Sequence, residues 1–231
     1  MDINMRITWL GQAGLLFETE TIKIMVDPYF SNICEKYNPD LRRRIPVRKE
    51  FLEIRPDVLV LTHNHLDHAD PETLPFFING TTKVKVLLSE NAHESVKALG
   101  GRTNDYIIFK DGTEWTERDV RFTGVKAYHS ENTAFGVLIE SDGRKYYVTG
   151  DTLYNADIFK SLPEDVYAVF LPVNGFGNNM NMTDAARFAS ACGAKYAVPL
   201  HFGMFDSIDP NCFAAKNKVI PTVYKEIVFG E

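Results

Sequence analysis

The chain has 231 residues, 45% of them apolar, with 31 acidic against 25 basic side chains and a formal net charge of −6. That size and composition suit a single α/β domain over residues 1–231 with a substantial core, and exclude wholesale disorder. The acidic balance offers no uniform basic field for an extended nucleic acid, and no apolar run reaches membrane-spanning length. The N-terminus, Met1-Asp2-Ile3-Asn4-Met5-Arg6, lacks a basic and apolar leader pattern, and Cys34, Cys192 and Cys212 form no C-x-x-C pair. A disulfide framework or a thiolate zinc knuckle is therefore not expected, and a reducing cytoplasm is the expected compartment.

In chain order, residues 5–10, 15–18 and 22–26 read as short strands, separated by Gly11-Gln12-Ala13-Gly14 and Glu20-Thr21. Residues 30–56 show no clear periodicity and contain the basic run Arg42-Arg43-Arg44 followed by Arg48-Lys49. A loop that long in a compact domain tends to be functional. The run Val58-Leu59-Val60-Leu61-Thr62 is continuously apolar up to its threonine and predicts a strand buried on both faces. Further strands are predicted over 83–88, 120–127, 134–139, 145–148, 166–171 and 196–200. Helices are predicted over 91–99, 184–192 and 210–217. In the second of these, Ala185, Phe188, Ala189 and Cys192 share one face, Thr183 is the expected N-cap, and Gly193 the stop.

The strongest chemical signal follows the buried strand: Thr62-His63-Asn64-His65-Leu66-Asp67-His68. Three imidazoles and a carboxylate within six residues are the donors that zinc, manganese and iron(II) accept at neutral pH. The carboxyl end of a strand is where an α/β sheet presents its ligand groups. Left without a metal, four such groups under cover would be a costly polar cluster. His129, Asp151 and His201 each follow a predicted strand, so they occupy equivalent places. His93 falls inside a helical pattern and is read as a solvated helix residue. Asp67 is the candidate for orienting a nucleophilic water.

The order H-x-H-x-D-H, then His129, Asp151 and His201, resembles the metallo-β-lactamase superfamily, from Ile7-Thr8-Trp9-Leu10-Gly11 through Val26-Asp27-Pro28 to the His201 segment. The resemblance implies an αββα sandwich with the metal site at one edge of the paired sheets. It implies that His63, His65 and His129 bind a first ion, that Asp67, His68 and His201 bind a second, and that Asp151 bridges. The cofactor is thus one or two divalent ions, zinc or manganese. Asp151 stands where some secreted β-lactamases carry cysteine, and His65 where the diiron oxygen-reducing branch carries glutamate. Both point away from those activities. Phe170-Leu171-Pro172-Val173-Asn174-Gly175, the amide-rich Asn178–Asn181 stretch and Pro199-Leu200-His201 leading to Asp206 are similar to the L-ascorbate-6-phosphate lactonase-like branch. Gln12 departs from that pattern, replacing a histidine common there.

This reading implies hydrolysis of a lactone or ester of a small phosphorylated metabolite by a water that the metal has acidified. Asn174 and Arg44 are the expected substrate contacts, since a guanidinium fork suits phosphate. A phosphodiesterase acting on nucleotides or RNA ends would use the same donors, and a metal-binding protein without turnover is the third reading. A homo-oligomer is compatible with all three.

Overall fold

In the computed structural model the described residues are 5–100 and 103–230. The first sheet contains β1 (Arg6–Gly11), β2 (Gly14–Glu18), β3 (Lys23–Val26), β4 (Val58–Leu61), β5 (Lys85–Leu88) and β6 (Asp105–Ile108) in sequential order. The second contains β7 (Glu114–Glu117), β8 (Val120–Lys126), β9 (Phe135–Ser141), β10 (Arg144–Val148), β11 (Ala168–Pro172) and β12 (Tyr196–Leu200), again in sequential order across the sheet. Each sheet starts as an antiparallel meander and finishes parallel, from β3 onward in the first and from β10 onward in the second. The helices α1 (Pro75–Ile78) and α2 (Glu90–Leu99) cover the first sheet, and α3 (Met182–Cys192) covers the second.

The pleat of β4 shows how the layers are specified. Successive strand side chains point to opposite faces. Val58 and Val60 join the cluster between the sheets, and Leu59 and Leu61 join a second cluster with Phe77 and Ile78 of α1 and Ala92 and Val96 of α2. Both faces are covered, which is why this strand reads as an unbroken apolar run. On the other flank Ala185, Phe188, Ala189 and Cys192 of α3 seal the second sheet, as their helical spacing predicts. The result is an αββα sandwich.

Three local features differ from the sequence expectations. The N-cap of α3 is Asn181, whose side chain accepts from the Asp184 backbone N–H; Thr183 lies within the first turn. The helix predicted over 210–217 is a single 3-10 turn, Pro210–Cys212. Asp209 caps that turn through the Asn211 N–H, Phe213 is buried in an extended conformation, and Lys218 is drawn into a parallel bridge with Ala197. The chain is thereby held against β12 rather than free to coil. Strands β6 and β7 had no sequence signal because each is a four-residue outer strand of its sheet whose residues are half-buried or exposed, so neither shows a buried face. The segment 30–56 forms three 3-10 turns, Ile33–Lys36, Pro39–Leu41 and Lys49–Glu53. It is fastened by the Arg43 guanidinium, which donates to the carbonyls of Tyr29 and Ile45 and to the Tyr224 hydroxyl, and by Phe51 stacked on Tyr224 at 5.2 Å.

Phe17 of β2 joins the two sheets. It is fully buried and meets Tyr146 and Phe170 of the second sheet edge-on, at centroid distances of 6.0 and 5.7 Å. Truncating a large buried aromatic removes its transfer free energy and leaves a cavity, so Phe17→Ala is expected to lower stability by about 3–5 kcal/mol. Urea unfolding checks this: the midpoint should fall with little change in slope.

Candidate metal centre

The site is assembled where strands end. Gln12 follows β1, Asp27 follows β3 and His63 follows β4; His129, Asp151 and His201 follow β8, β10 and β12. The turn 63–68 is closed by backbone bonds from His68 and Ala69 to the His65 carbonyl, at 3.0 and 2.8 Å. That closure turns His63, His65, Asp67 and His68 toward the second sheet. Donor atoms then fall into three groups, each with atoms within 4.8 Å of one another: His63, His65 and His129; His63, His68 and Asp151; Asp67, His68 and His201. All seven residues singled out in the sequence are therefore gathered at one place. His93 is elsewhere, on α2, with Nδ1 2.8 Å from Glu94 and its ring against Tyr106.

The hydrogen bonds behind these residues set which ring nitrogens face inward. Thr62 Oγ1 donates to Asp27 Oδ2 at 2.6 Å, so at 3.1 Å from His63 Nδ1 it must accept. His68 Nδ1 donates to the same Asp27 oxygen at 2.8 Å. Both arrangements aim Nε2 at the cluster. There, the Nε2 atoms of His63 and His68 are fully buried and have no hydrogen-bond partner. Unpaired buried polar atoms are costly, so inward nitrogens without a protein partner are what a cation-holding cluster requires. An imidazole and carboxylate donor set without thiolate fits zinc, manganese or iron(II).

A family model described as a β-lactamase superfamily domain matches residues 6–201. The chain belongs to the metallo-β-lactamase superfamily. A protein of Herpetosiphon aurantiacus named a UPF0173 metal-dependent hydrolase is 28% identical over 232 residues, covering 94% of this chain and 90% of that one. Among solved structures, Igni18, a metallo hydrolase of Ignicoccus hospitalis KIN4/I, superimposes with a TM-score of 0.75 at 18% identity, covering 98% of this chain and 99% of that one. The isothiocyanate hydrolase from Delia radicum gut bacteria gives a TM-score of 0.74 at 20% identity, covering 98% and 100%. At those identities the structural likeness speaks for the metallo-β-lactamase fold alone.

Several residues complete the site that the sequence did not single out for it. Asp27 accepts from the Thr62 N–H at 2.8 Å as well as from the groups above. Asn179 donates to Asp151 Oδ2 at 2.8 Å. Gln12 Nε2 lies 2.8 Å from Asp67 Oδ2 and 3.1 Å from each ring nitrogen of His201. Asp27 carried a legible signal, a carboxylate directly after an apolar strand. Asn179 lay in the amide-rich stretch that follows Asn174. Asn174 pairs with Asn181 in an isolated bridge, and its buried Oδ1 makes no hydrogen bond. Arg44 is exposed; its guanidinium bonds no protein group, and its backbone N–H donates to Met204 O at 3.0 Å, three residues past His201.

Charge within this superfamily site is unevenly distributed. Burial and then neighbouring His68 hold His63 well below its usual pKa, and burial lowers His129 too, so both imidazoles are neutral. Burial also works against protonated His68 and His201. For His68, Asp151, Asp67 and Asp27 outweigh it and raise the pKa. For His201, Asp151 and Asp67 push it up to about 10. Burial opposes ionised Asp67 and Asp151, yet the facing imidazoliums overcome it and lower both. Stability therefore depends on pH in protein stripped of metal by a chelator. The His201 contribution is complete below its unfolded pKa of 6.5 and is lost as pH rises toward about 10. The aspartate contributions are present above the unfolded value of 3.8 and are lost as pH falls. The melting temperature of the chelated protein should accordingly decline from pH 6.5 upward; a flat or rising profile would contradict these charge assignments.

Proposed function

We propose that the protein is a metal-dependent hydrolase whose ligands are His63, His65 and His129 for one divalent ion and Asp67, His68 and His201 for a second, with Asp151 between them. The observation that carries this reading is the gathering of these donors around the buried Nε2 atoms of His63 and His68, neither of which makes a hydrogen bond. The relatives named metal-dependent hydrolases support it. A divalent ion at such a centre supplies a water acidified to about pKa 7 and polarises the scissile bond. The protein's own part is positional. Asp151 Oδ2 lies 3.4 Å from His68 Nε2 and 3.3 Å from His201 Nε2, which is the place for a carboxylate shared by two sites. Asp67 is partly exposed, with a side-chain exposure of 17%, whereas His63 and His68 are sealed. It is thus the carboxylate at the solvent side, suited to orienting a water or accepting its proton. Asn179 holds Asp151 in place.

The substrate we propose is a small phosphorylated metabolite with a lactone or ester bond. Support comes from the loop bearing Arg44. Of the basic run, Arg43 is consumed by internal bonds, Arg42 pairs with Glu35 and Arg48 with Glu50. Arg44 keeps an unpaired guanidinium on a backbone tied to the His201 loop. A planar fork of that kind reads phosphate oxygens bidentately.

Two outcomes are expected. Chelated protein given Zn²⁺ or Mn²⁺ should regain one or two ions per chain by elemental analysis, and at about 100 times Kd should gain about 2.7 kcal/mol of stability. It should hydrolyse members of a panel of lactones, phosphodiesters, thioesters and isothiocyanates. Asp151→Ala should keep the fold by circular dichroism yet lose at least about a hundredfold in turnover, beyond the scale seen when a residue that merely orients a ligand is removed. Wild-type turnover in that variant would overturn the shared-carboxylate role.

Arg44→Ala tests the substrate class. It should raise KM for a phosphorylated lactone more than for its dephosphorylated analogue, with kcat nearly unchanged. Equal effects on both compounds would remove phosphate from the reading.

A further inference from the structure

The metal centre is not covered evenly. His63, His68, Asp151 and His201 are buried, whereas His65, Asp67 and His129 are half-buried. A substrate therefore reaches the donors over those three. The hairpin 174–181, between β11 and α3, stands beside this opening. Its turn is closed by the Asn179 N–H, which donates to the Phe176 carbonyl at 3.2 Å, and its central residues Gly177 and Asn178 have φ of 66° and 63°. Left-handed backbone at both central positions is what a type I′ hairpin turn requires, and glycine and asparagine adopt it at least cost. Behind the turn the Gly175 N–H donates to the Met180 carbonyl at 3.1 Å. The turn is thus specified by its own sequence and does not need a core to shape it.

Three bonds fasten this hairpin to the metal centre. The Asn179 amide donates to Asp151, His129 Nδ1 donates to the Asn178 carbonyl at 3.4 Å, and the Met180 N–H donates to the carbonyl of Thr152, next to Asp151, at 3.0 Å. Phe176 takes part in none of them through its side chain, which is 71% exposed and adds nothing to the core. A lone exposed apolar side chain is ordinary. The position of this one is not. The first and last residues of such a turn lie directly opposite, with side chains on one face. The last is Asn179, whose side chain reaches Asp151, so Phe176 is held on the face of the hairpin that looks to the donors. Leu153, 44% exposed, stands nearby: its N–H donates to the Tyr128 carbonyl at 2.9 Å, which ties the residue two past Asp151 to the one before His129. Of the exposed large apolar side chains among the described residues, Tyr37, Phe76, Ile108, Leu153, Phe176 and Val228, two therefore flank His129 and Asp151.

We propose that Phe176 and Leu153 form an apolar platform on the His129 side of the opening, which takes an alkyl or ring portion of the substrate while the reacting bond lies over the donors. The substrate class is then a lactone or ester with an apolar arm. The arm lies toward the second sheet, whereas Arg44, on the backbone tied to the His201 loop, stands at the other flank of the donor set. The proposal rests on the hydrolase reading above. Phe176 sets specificity and takes no part in breaking the bond.

The experiment compares zinc-loaded wild type, Phe176→Ala and Phe176→Leu on γ-butyrolactone and on γ-decalactone, the same ring carrying a hexyl chain. Val228→Ser is the control: Val228 is exposed and apolar, but it follows Ile227, whose N–H meets the Ile7 carbonyl at the far end of β1 from Gln12. Wild type should favour the decalactone in kcat/KM by about tenfold or more, the scale set by burying two methylenes. Phe176→Ala should lose most of that preference, chiefly through KM for the decalactone, and Phe176→Leu should keep part of it. Val228→Ser should keep all of it. Melting temperatures should be alike, since neither side chain is packed. A second readout needs no turnover. The emission of zinc-loaded Phe176→Trp, measured against wild type with its two tryptophans, should move to shorter wavelength with octanoate and not with acetate. A wild type indifferent to the hexyl chain, equal losses on both lactones in Phe176→Ala, or an emission unmoved by octanoate would overturn the platform. Turnover of neither lactone would instead count against the hydrolase reading, and the emission would then decide the platform by itself.

Discussion

Three carboxylates crowd one edge of the sandwich, and most of the local structure answers to them. Asp27 is 1% exposed and Asp151 5%, and Asp67 is only partly open. An ionised carboxylate taken out of water without compensation costs many kcal/mol, so each must be met by donors. Asp27 receives a backbone N–H, a hydroxyl and an imidazole; Asp151 receives the Asn179 amide and faces two imidazoles; Asp67 receives the Gln12 amide and faces His201. The donors come from loops after strands of both sheets. The relative placement of the sheets, fixed by packing such as Phe17 on Phe170, is therefore also what holds the charges in balance.

How much of this was legible in the sequence follows from burial. Strands covered on both faces, β4 above all, announce themselves as apolar runs. The helix α3 does so through its one-sided spacing and the glycine after it. The outer strands β6 and β7 have one edge and much of their surface in water, so Glu114 or Asp105 carries no periodic signal. The segment 210–217 had the composition of a helix, but tertiary pairing with β12 decided its conformation. The donor residues could be read because histidine and aspartate after apolar strands are expensive choices. Their supporting partners could not, since a glutamine or asparagine has no such cost until one knows what it faces. Gln12 was visible only as a departure from a pattern, and Asn179 only as one amide among several.

Residues 42–49 make the complementary point about charge. In the sequence the basic side chains are equivalent. In the structure Arg43 is an internal brace that ties three parts of the chain, with its guanidinium also 5.4 Å from the Tyr29 ring centre, while Arg44, its neighbour, points to solvent. Alternation along an extended backbone separates the two roles: one residue faces the protein and the next does not. A run of like charge therefore says little about which member is available to a ligand.

The donor set is split between the layers. His63, His65, Asp67 and His68 stand on the turn after β4 of the first sheet, whereas His129, Asp151 and His201 follow strands of the second. An ion held by such a set is a rivet through the two halves of the sandwich, placed at one rim and not at the middle. Its removal would leave the apolar interior closed and let the rim gape. The amides after β4, β8, β10 and β12 would then exchange with solvent far sooner than those of the central strands, and the same strand ends would become the first points of proteolytic attack.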